Sequence, residues 1–167
     1  MTLQEIRWTH WTGAGRKDLK DGVILYSGKK RGKHEGTGFY VRNEIYHNVI
    51  EFEGINSRLA RLRLSSKWFI ITLIAVHAPT DVSEDRLKDT WYGKLQTTID
   101  KVPRHDILIL IGDFNAKVGR ENGVFGNTVG SHSLHEESTD NGIRLLSMTS
   151  QNGMVIGGSL FPHRNIH

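Results

Sequence analysis

The sequence predicts an α/β fold on three observations. Residues 68–76 and 107–111 are nearly unbroken apolar runs, which is typical of central strands buried on both faces of a sheet. Residues 81–102 lie between them and carry apolar side chains from Leu87 to Val102 at helical spacing. A strand, a helix and a second strand make a β-α-β crossover. We expect its two strands to be parallel and its connection to be right-handed.

Shorter strands are predicted before this crossover. The strand-like runs lie at residues 22–26, 38–42, 49–52 and 59–64. Within residues 60–64, apolar and charged side chains alternate strictly, so this strand should have one buried and one solvated face.

The chain after the crossover predicts a loop, a helix and a last strand. Residues 117–138 form the loop, where His132 and His135 lie three apart; no further zinc ligand stands nearby, so the pair is not interpreted as a zinc site. Residues 139–148 predict a helix capped by Thr139 and closed by Asn152-Gly153. A short strand is predicted at residues 154–156.

Length and composition indicate one domain covering residues 1–167, with a hydrophobic share of 37% that can build a core. The chain has no cysteine, which excludes disulfides and thiolate metal sites. No apolar run approaches membrane-spanning length, and the first residues lack the features of a signal peptide. We therefore expect an intracellular protein that is not secreted and has no membrane partner.

Positive charge is concentrated in the first half of the chain. Residues 1–80 hold 13 Lys and Arg against 7 Asp and Glu, whereas residues 81–167 hold 9 against 11. The cluster of Lys29, Lys30, Arg31 and Lys33 lies among glycines and is a candidate contact to a nucleic-acid backbone. A solvated hairpin tip explains the same cluster equally well.

The end of the second apolar run carries the strongest candidate site. Gly112 ends the run, and Asp113 and Asn115 follow two residues apart, so in an extended chain they project to the same side. One carboxylate and one amide supply the oxygen ligands that Mg²⁺ prefers. The competing interpretation is a simple turn, because Gly, Asp and Asn dominate turns.

Polar residues also follow the first apolar run, at His77-Ala78-Pro79-Thr80. A single His after a strand usually packs or caps locally. However, the carboxyl ends of neighbouring parallel strands meet at one edge, where open α/β sheets bind ligands. We therefore expect His77 and Asp113 to lie at the same edge of the sheet.

Several motifs resemble the endonuclease/exonuclease/phosphatase superfamily, which has the DNase I-like fold. They include L-Q-E near the start, V-H-A-P-T and, directly after a buried strand, G-D-F-N-A. Over nearly the whole chain, V-P-R-H-D, G-D-F-N-A-K-V-G, H-S-L-H-E-E-S and L-F-P-H resemble the endonuclease domain of RTE-type retrotransposons. They also resemble the craniofacial development protein 2-like proteins derived from such elements.

This resemblance implies a four-layer α/β sandwich of two sheets flanked by helices, and hydrolysis of DNA phosphodiesters with Mg²⁺ or Mn²⁺. Glu5 and Asp113 fall on metal-ligand positions, Asp113 and Asn115 on catalytic ones, and His77 on a position where many members have Tyr. A DNA partner and a nuclear location follow from the same resemblance.

The chain also departs from the superfamily pattern. Members begin with a strand that ends in an active-site Asn and continue to a Ser-Asp-His motif that supplies the general base, and neither occurs in this sequence. The resemblance thus predicts an incomplete domain, truncated at both ends, with impaired or absent activity. The alternatives are a non-catalytic DNA-binding or protein-interaction remnant, and a phosphatase acting on small phosphoesters.

Overall fold

The structure is a computed structural model that describes residues 1–3, 12–29, 36–120 and 125–162. The chain divides into two compact units, the first comprising Met1–Ala78 with Thr98–Asp113 and the second Pro79–Thr97 with Phe114–His167. The interpretation of residues 1–167 as one domain stays a prediction. No helix in the described ranges is long and apolar enough to cross a membrane.

The first unit contains two four-stranded sheets. The first sheet consists of β1 (Thr2–Leu3), β2 (Ala14–Asp18), β3 (Gly22–Gly28) and β4 (Gly36–Arg42). Its strand order is β1-β4-β3-β2, with every pair antiparallel. A single helical turn, α1 (Asn43–Tyr46), follows β4.

The second sheet consists of β5 (Val49–Asn56), β6 (Leu59–Ser65), β7 (Ile70–His77) and β8 (Ile107–Asp113). Its strand order is β5-β6-β7-β8. Successive strands from β5 to β7 pair antiparallel, and β7 pairs with β8 in parallel. The parallel arrangement predicted for the crossover strands is confirmed.

The core of this unit lies between the two sheets. Its buried residues are Val23, Leu25, Phe39 and Val41 from the first sheet and Ala60, Leu62 and Ala75 from the second. The Phe39 and Phe52 rings meet edge to face, with centroids 6.4 Å apart, which is a favoured aromatic geometry. Alternation along each strand supplies one apolar face per sheet. The predicted α/β sandwich class is confirmed.

The start of the first apolar run is not part of β7. Trp68 and Phe69 belong to the turn before it, where the Ser66 hydroxyl accepts hydrogen bonds from both backbone N–H groups at 3.4 and 3.2 Å. Trp68 is 80% exposed. The prediction that the strand begins at residue 68 was wrong, because this serine stabilises a turn inside an apolar run.

The strand β8 is less buried than its apolar sequence indicates. It lies at the edge of its sheet within the described residues, and Ile107 and Ile109 are 45% and 41% exposed. The expectation of a central strand covered on both faces is therefore wrong for β8. An apolar run alone does not distinguish a central from an edge strand.

The second unit contains most of α2 (Asp85–Ile99), α3 (Asp140–Gln151) and two short 3₁₀ helices, Gly126–Thr128 and Gly157–Ser159. Helix α2 is shorter than residues 81–102, and Leu87 is 52% exposed rather than buried. Trp91, Leu95 and Ile99, which share the predicted helical spacing, are buried, together with Lys88 and Tyr92. A buried lysine does not register as part of an apolar face in the sequence, so the burial of Lys88 was not predicted.

Helix α3 follows its prediction closely. The Thr139 side chain accepts a hydrogen bond from the Gly142 N–H, Asn152 is the C-cap, and Gly153 has a φ of 62°, as glycine after a helix often has. The predicted strand at 154–156 is wrong: the Ile156 N–H bonds the Thr128 carbonyl at 2.9 Å, but these residues form no strand.

Ion pairs join α2 to α3. Lys88 Nζ lies 3.0 Å from Asp85 and 2.7 Å from Asp140, and Arg144 Nε lies 2.7 Å from Asp140. Arg144 also pairs with Asp89. Hydrogen bonds from Lys88 and then Arg144 lower the pKa of Asp140. The Lys88 side chain is only 5% exposed, and its buried charge is thus paired with carboxylates.

Candidate functional site

The carboxyl ends of β7 and β8 lie side by side in the first unit. His77 and Asp113 are register partners in the parallel pair, and the Ala78 N–H donates to the Asp113 carbonyl at 2.8 Å. Asp113 is exposed, whereas His77 is half-buried. The expectation that these two residues share one edge of the sheet is confirmed.

The His77 ring presents a buried polar atom at this edge. Its Nδ1 has no hydrogen-bond partner among the residues that the structure describes. Buried polar atoms are usually paired, so this imidazole nitrogen is a group that an ordered water or a bound ligand can satisfy.

Arg58 is a residue at this edge that sequence reasoning missed. Its Nη1 donates to the His77 carbonyl at 3.4 Å and to the Ala78 carbonyl at 3.2 Å, and its own carbonyl accepts from the His77 N–H at 2.9 Å. The antiparallel pairing of β6 with β7 was the available signal. A residue just before β6 must lie where β7 ends.

Lys29 is exposed directly after β3. It lines an open cavity of about 440 Å³ together with Asn56 and Ser57, which immediately precede Arg58. The Ser27 hydroxyl donates to the Asn56 carbonyl at 2.8 Å and joins β3 to this turn. The basic segment, which we define as Lys29, Lys30, Arg31 and Lys33, therefore starts beside the turn that precedes Arg58. Lys30, Arg31 and Lys33 lie outside the described residues.

Asn115 lies in the second unit, two residues after Asp113. Its φ is 46°, in the left-handed region that Asn tolerates better than most residues. Its carbonyl accepts a hydrogen bond from Asn141 Nδ2 at 3.0 Å. The same Nδ2 donates to the Pro79 carbonyl at 2.9 Å. One buried side chain thus joins the segments that follow β7 and β8.

A divalent cation fits part of this site. Asp113 places an exposed carboxylate at the end of β8, which suits a hard cation. Within the described ranges, no group of three or more His, Cys, Asp or Glu is arranged to hold a metal. Glu5, the other expected ligand, lies outside those ranges, so its pairing with Asp113 stays a prediction.

Comparison with known proteins finds relatives in one of the groups that the sequence motifs resemble. The chain is similar to craniofacial development protein 2. For the protein from Tragulus javanicus, identity is 31% over 159 residues, or 94% of this chain. The Bos taurus craniofacial development protein 2 matches over the same share at the same identity. No family model matches the chain.

The similarity supports the resemblance of the motifs to the craniofacial development protein 2-like proteins. The chain spans 27% and 26% of the two relatives, which is about a quarter of their length. The similarity therefore concerns one region of craniofacial development protein 2, and the activity of the whole protein belongs to the proposals below.

Proposed function

We propose that this chain carries the metal-dependent phosphodiesterase site of a DNA-nicking endonuclease of the endonuclease/exonuclease/phosphatase superfamily. The observation that carries the proposal is the juxtaposition of His77 and Asp113 at the ends of two parallel strands. The G-D-F-N-A motif and the similarity to craniofacial development protein 2 support the choice of superfamily.

Each site residue has a role that its chemistry allows. Asp113 holds the divalent cation, which polarises the scissile phosphate when bound. A His77 N–H donates to a phosphate oxygen, and the Asn115 amide orients the phosphate or the attacking water. In the hydrolysis, the water oxygen bonds to phosphorus, the bond from phosphorus to O3′ breaks, and O3′ takes a proton to become a 3′-hydroxyl.

The basic segment supplies the substrate contact in this proposal. Lys29 lies beside the turn that precedes Arg58, and Arg58 bonds the backbone at the end of β7. Cationic side chains at this edge attract the DNA backbone without reading its sequence. The same chemistry favours a phosphodiester over an uncharged substrate near Asp113.

The test is a plasmid-nicking assay with Mg²⁺, with Mn²⁺ and with EDTA. We expect at most weak metal-dependent conversion of supercoiled to nicked plasmid, slower than by a domain that contains the Ser-Asp-His motif, with 3′ ends that a polymerase extends. Asp113→Ala should abolish it, and the matched variant Asp21→Ala, which removes an exposed carboxylate from the turn before β3, should not. Nicking that survives in Asp113→Ala would remove this residue from the site.

His77 is tested in the same assay. Loss of a group that donates to the reacting phosphate costs on the order of 10²-fold in rate. We therefore expect this loss for His77→Phe, which keeps an aromatic ring, and no loss for His47→Phe, which changes an exposed histidine. Equal rates for the two variants would leave His77 with a packing role only.

A non-catalytic DNA-binding protein is the second candidate. It is favoured by the excess of Lys and Arg over Asp and Glu in residues 1–80, which attracts DNA whether or not a reaction follows. It predicts salt-dependent DNA binding that Asp113→Ala leaves unchanged, together with no metal-dependent nicking. Hydrolysis of p-nitrophenyl phosphate without nicking would instead indicate a phosphatase.

A further inference from the structure

Asn141 is the second residue of α3 and is fully buried. We propose that Asn141 is a positioning residue for Asn115: its side-chain amide fixes the backbone from which the Asn115 side chain projects. This inference rests on the proposed function for its catalytic consequence. Its structural part, that Asn141 holds Asn115, stands independently.

The conformation of Asn115 requires support from its surroundings. With a φ of 46° it lies in the left-handed region, which is unfavourable for residues other than glycine and persists where neighbouring groups determine it. The hydrogen bond from Asn141 Nδ2 to the Asn115 carbonyl, at 3.0 Å, acts directly on this backbone. Without this hydrogen bond, the Asn141 side chain would no longer hold the carbonyl group of Asn115 in place.

The second N–H of the same amide group fixes a second segment. Nδ2 donates at 2.9 Å to the carbonyl of Pro79, two residues after His77. A carboxamide has two donor hydrogens, and here both go to backbone carbonyls in segments that follow neighbouring strands. Displacing Asn141 would therefore release both segments at once.

Asn141 is itself held in place by two neighbours. Its N–H donates to Asp81 Oδ1 at 2.9 Å, and its carbonyl accepts from the Tyr92 hydroxyl at 3.0 Å. Burial raises the pKa of Tyr92, so this hydroxyl remains a donor even at an alkaline pH where an exposed tyrosine would ionise. The amide group therefore extends from a backbone whose position is fixed on both sides.

The competing explanation is that Asn141 only stabilises α3. Asn152 provides the matched control, because it is the same residue type at the other end of the same helix. Its Nδ2 donates to Gln96 Oε1 at 2.8 Å and to the Met148 carbonyl at 2.7 Å. Its Oδ1 also accepts from Gln96 Nε2 at 3.0 Å. Asn152→Ala therefore removes three side-chain hydrogen bonds, none of which involves Asn115.

The first measurement is hydrogen exchange by mass spectrometry on the whole chain without metal. Asn141→Asp keeps the side-chain shape but replaces both donor hydrogens with an acceptor. We expect faster exchange in residues 113–119 in Asn141→Asp and Asn141→Ala, and not in Asn152→Ala. Equal exchange in all three variants would overturn the proposal, and so would failure of both Asn141 variants to fold.

The second measurement separates kcat from KM in DNA nicking. A misplaced group costs about 10²-fold in rate, so kcat should fall by about this factor in Asn141→Asp, with KM changed little. Asn152→Ala should retain its kcat. A fall in kcat no larger than that of Asn152→Ala would overturn the proposed effect of Asn141 on catalysis. Absence of metal-dependent nicking in the unmodified chain would contradict the proposed function, while the exchange data still decide whether Asn141 holds Asn115.

Discussion

Arg63 on β6 binds Asp106, the residue before β8, through two nearly parallel hydrogen bonds. Nε lies 2.6 Å from Oδ2 and Nη2 lies 2.9 Å from Oδ1, while the Thr72 hydroxyl donates to Oδ2 at 2.7 Å. The Asp106 side chain is 0% exposed. This arrangement connects β6 to the start of β8 across β7, and bidentate pairs of this kind are strong and geometrically specific.

The stability of the protein should depend on this pair in acid. Hydrogen bonds from Arg63 lower the pKa of Asp106 from 3.8 to about 2, so the unfolded chain takes up the proton first as pH falls. The stabilisation that the ionised Asp106 side chain gives the folded state is complete above about pH 4, and it is lost as pH falls towards 2. Asp106→Asn should reduce the pH dependence of the melting temperature in this window, measured by circular dichroism.

The control for this experiment is Asp21→Asn, which changes an exposed carboxyl. It should leave the slope of melting temperature against pH unchanged. If Asp106→Asn has the same slope as the unmodified chain, then another group is responsible for the acid sensitivity.

A divalent cation should stabilise the fold through Glu5 and Asp113 together. Mg²⁺ at a hundred times its dissociation constant stabilises a folded protein by about 2.7 kcal/mol. We expect the rise in melting temperature with Mg²⁺ or Mn²⁺ to disappear in Glu5→Ala and in Asp113→Ala, and to persist in Asp21→Ala. A metal response that persists in Glu5→Ala would remove that residue from the pair.

The basic segment should make DNA binding depend strongly on salt. Each phosphate neutralised on duplex DNA contributes about 0.9 to the slope of log affinity against log salt. Replacing Lys29, Lys30, Arg31 and Lys33 with Gln should lower that slope by up to about 3.6 if each contacts one phosphate, measured by fluorescence anisotropy between 50 and 200 mM salt, roughly the range where such effects are large.

The matched control removes the same charge elsewhere, by replacing Lys17, Lys20, Lys94 and Lys101 with Gln. These four lysines are exposed. An equal change of slope in both variants would mean that only the net charge of the chain matters, and that the basic segment is a solvated loop.

Replacement of two glycines by alanine should change the free energy of unfolding in opposite directions. A Cβ at Gly38 would lie 2.1 Å from the Leu25 carbonyl oxygen, whereas a Cβ at Gly93 in α2 would meet nothing within 4 Å. We expect Gly38→Ala to destabilise by about 1–3 kcal/mol or more, and Gly93→Ala to stabilise by about 0.5–1 kcal/mol. Urea unfolding measures both. A stable Gly38→Ala variant would mean that β3 and β4 can move apart.

The sequence predicted those parts of the fold that depend on periodicity and local chemistry. Helix α3 was predicted closely because Thr139 and Gly153 mark its ends chemically. The juxtaposition of His77 with Asp113 was predictable because parallel crossover strands end at the same edge of a sheet. Both conclusions need only neighbouring residues and a general rule of topology.

Other parts of the fold and of the candidate site depend on contacts between residues that are distant in sequence. The periodicity of the sequence does not predict such contacts. The bond from Arg58 to the end of β7 requires the register of β6 against β7. The role of Asn141 requires the folded position of α3 relative to Asn115. The exposure of Ile107 and Ile109 depends on whether another element covers their face of β8, and an apolar sequence does not specify that.

The parallel pairing of β7 with β8 has a consequence for the order of folding. Strands β5, β6 and β7 join through short turns, whereas Ile71 pairs with Ile107 only after the whole crossover has been formed. Pairings between residues distant in sequence require closure of a long loop and form slowly. We expect the hairpins to form before the edge shared by His77 and Asp113, so a partly folded chain would contain most of both sheets before it contained the candidate site.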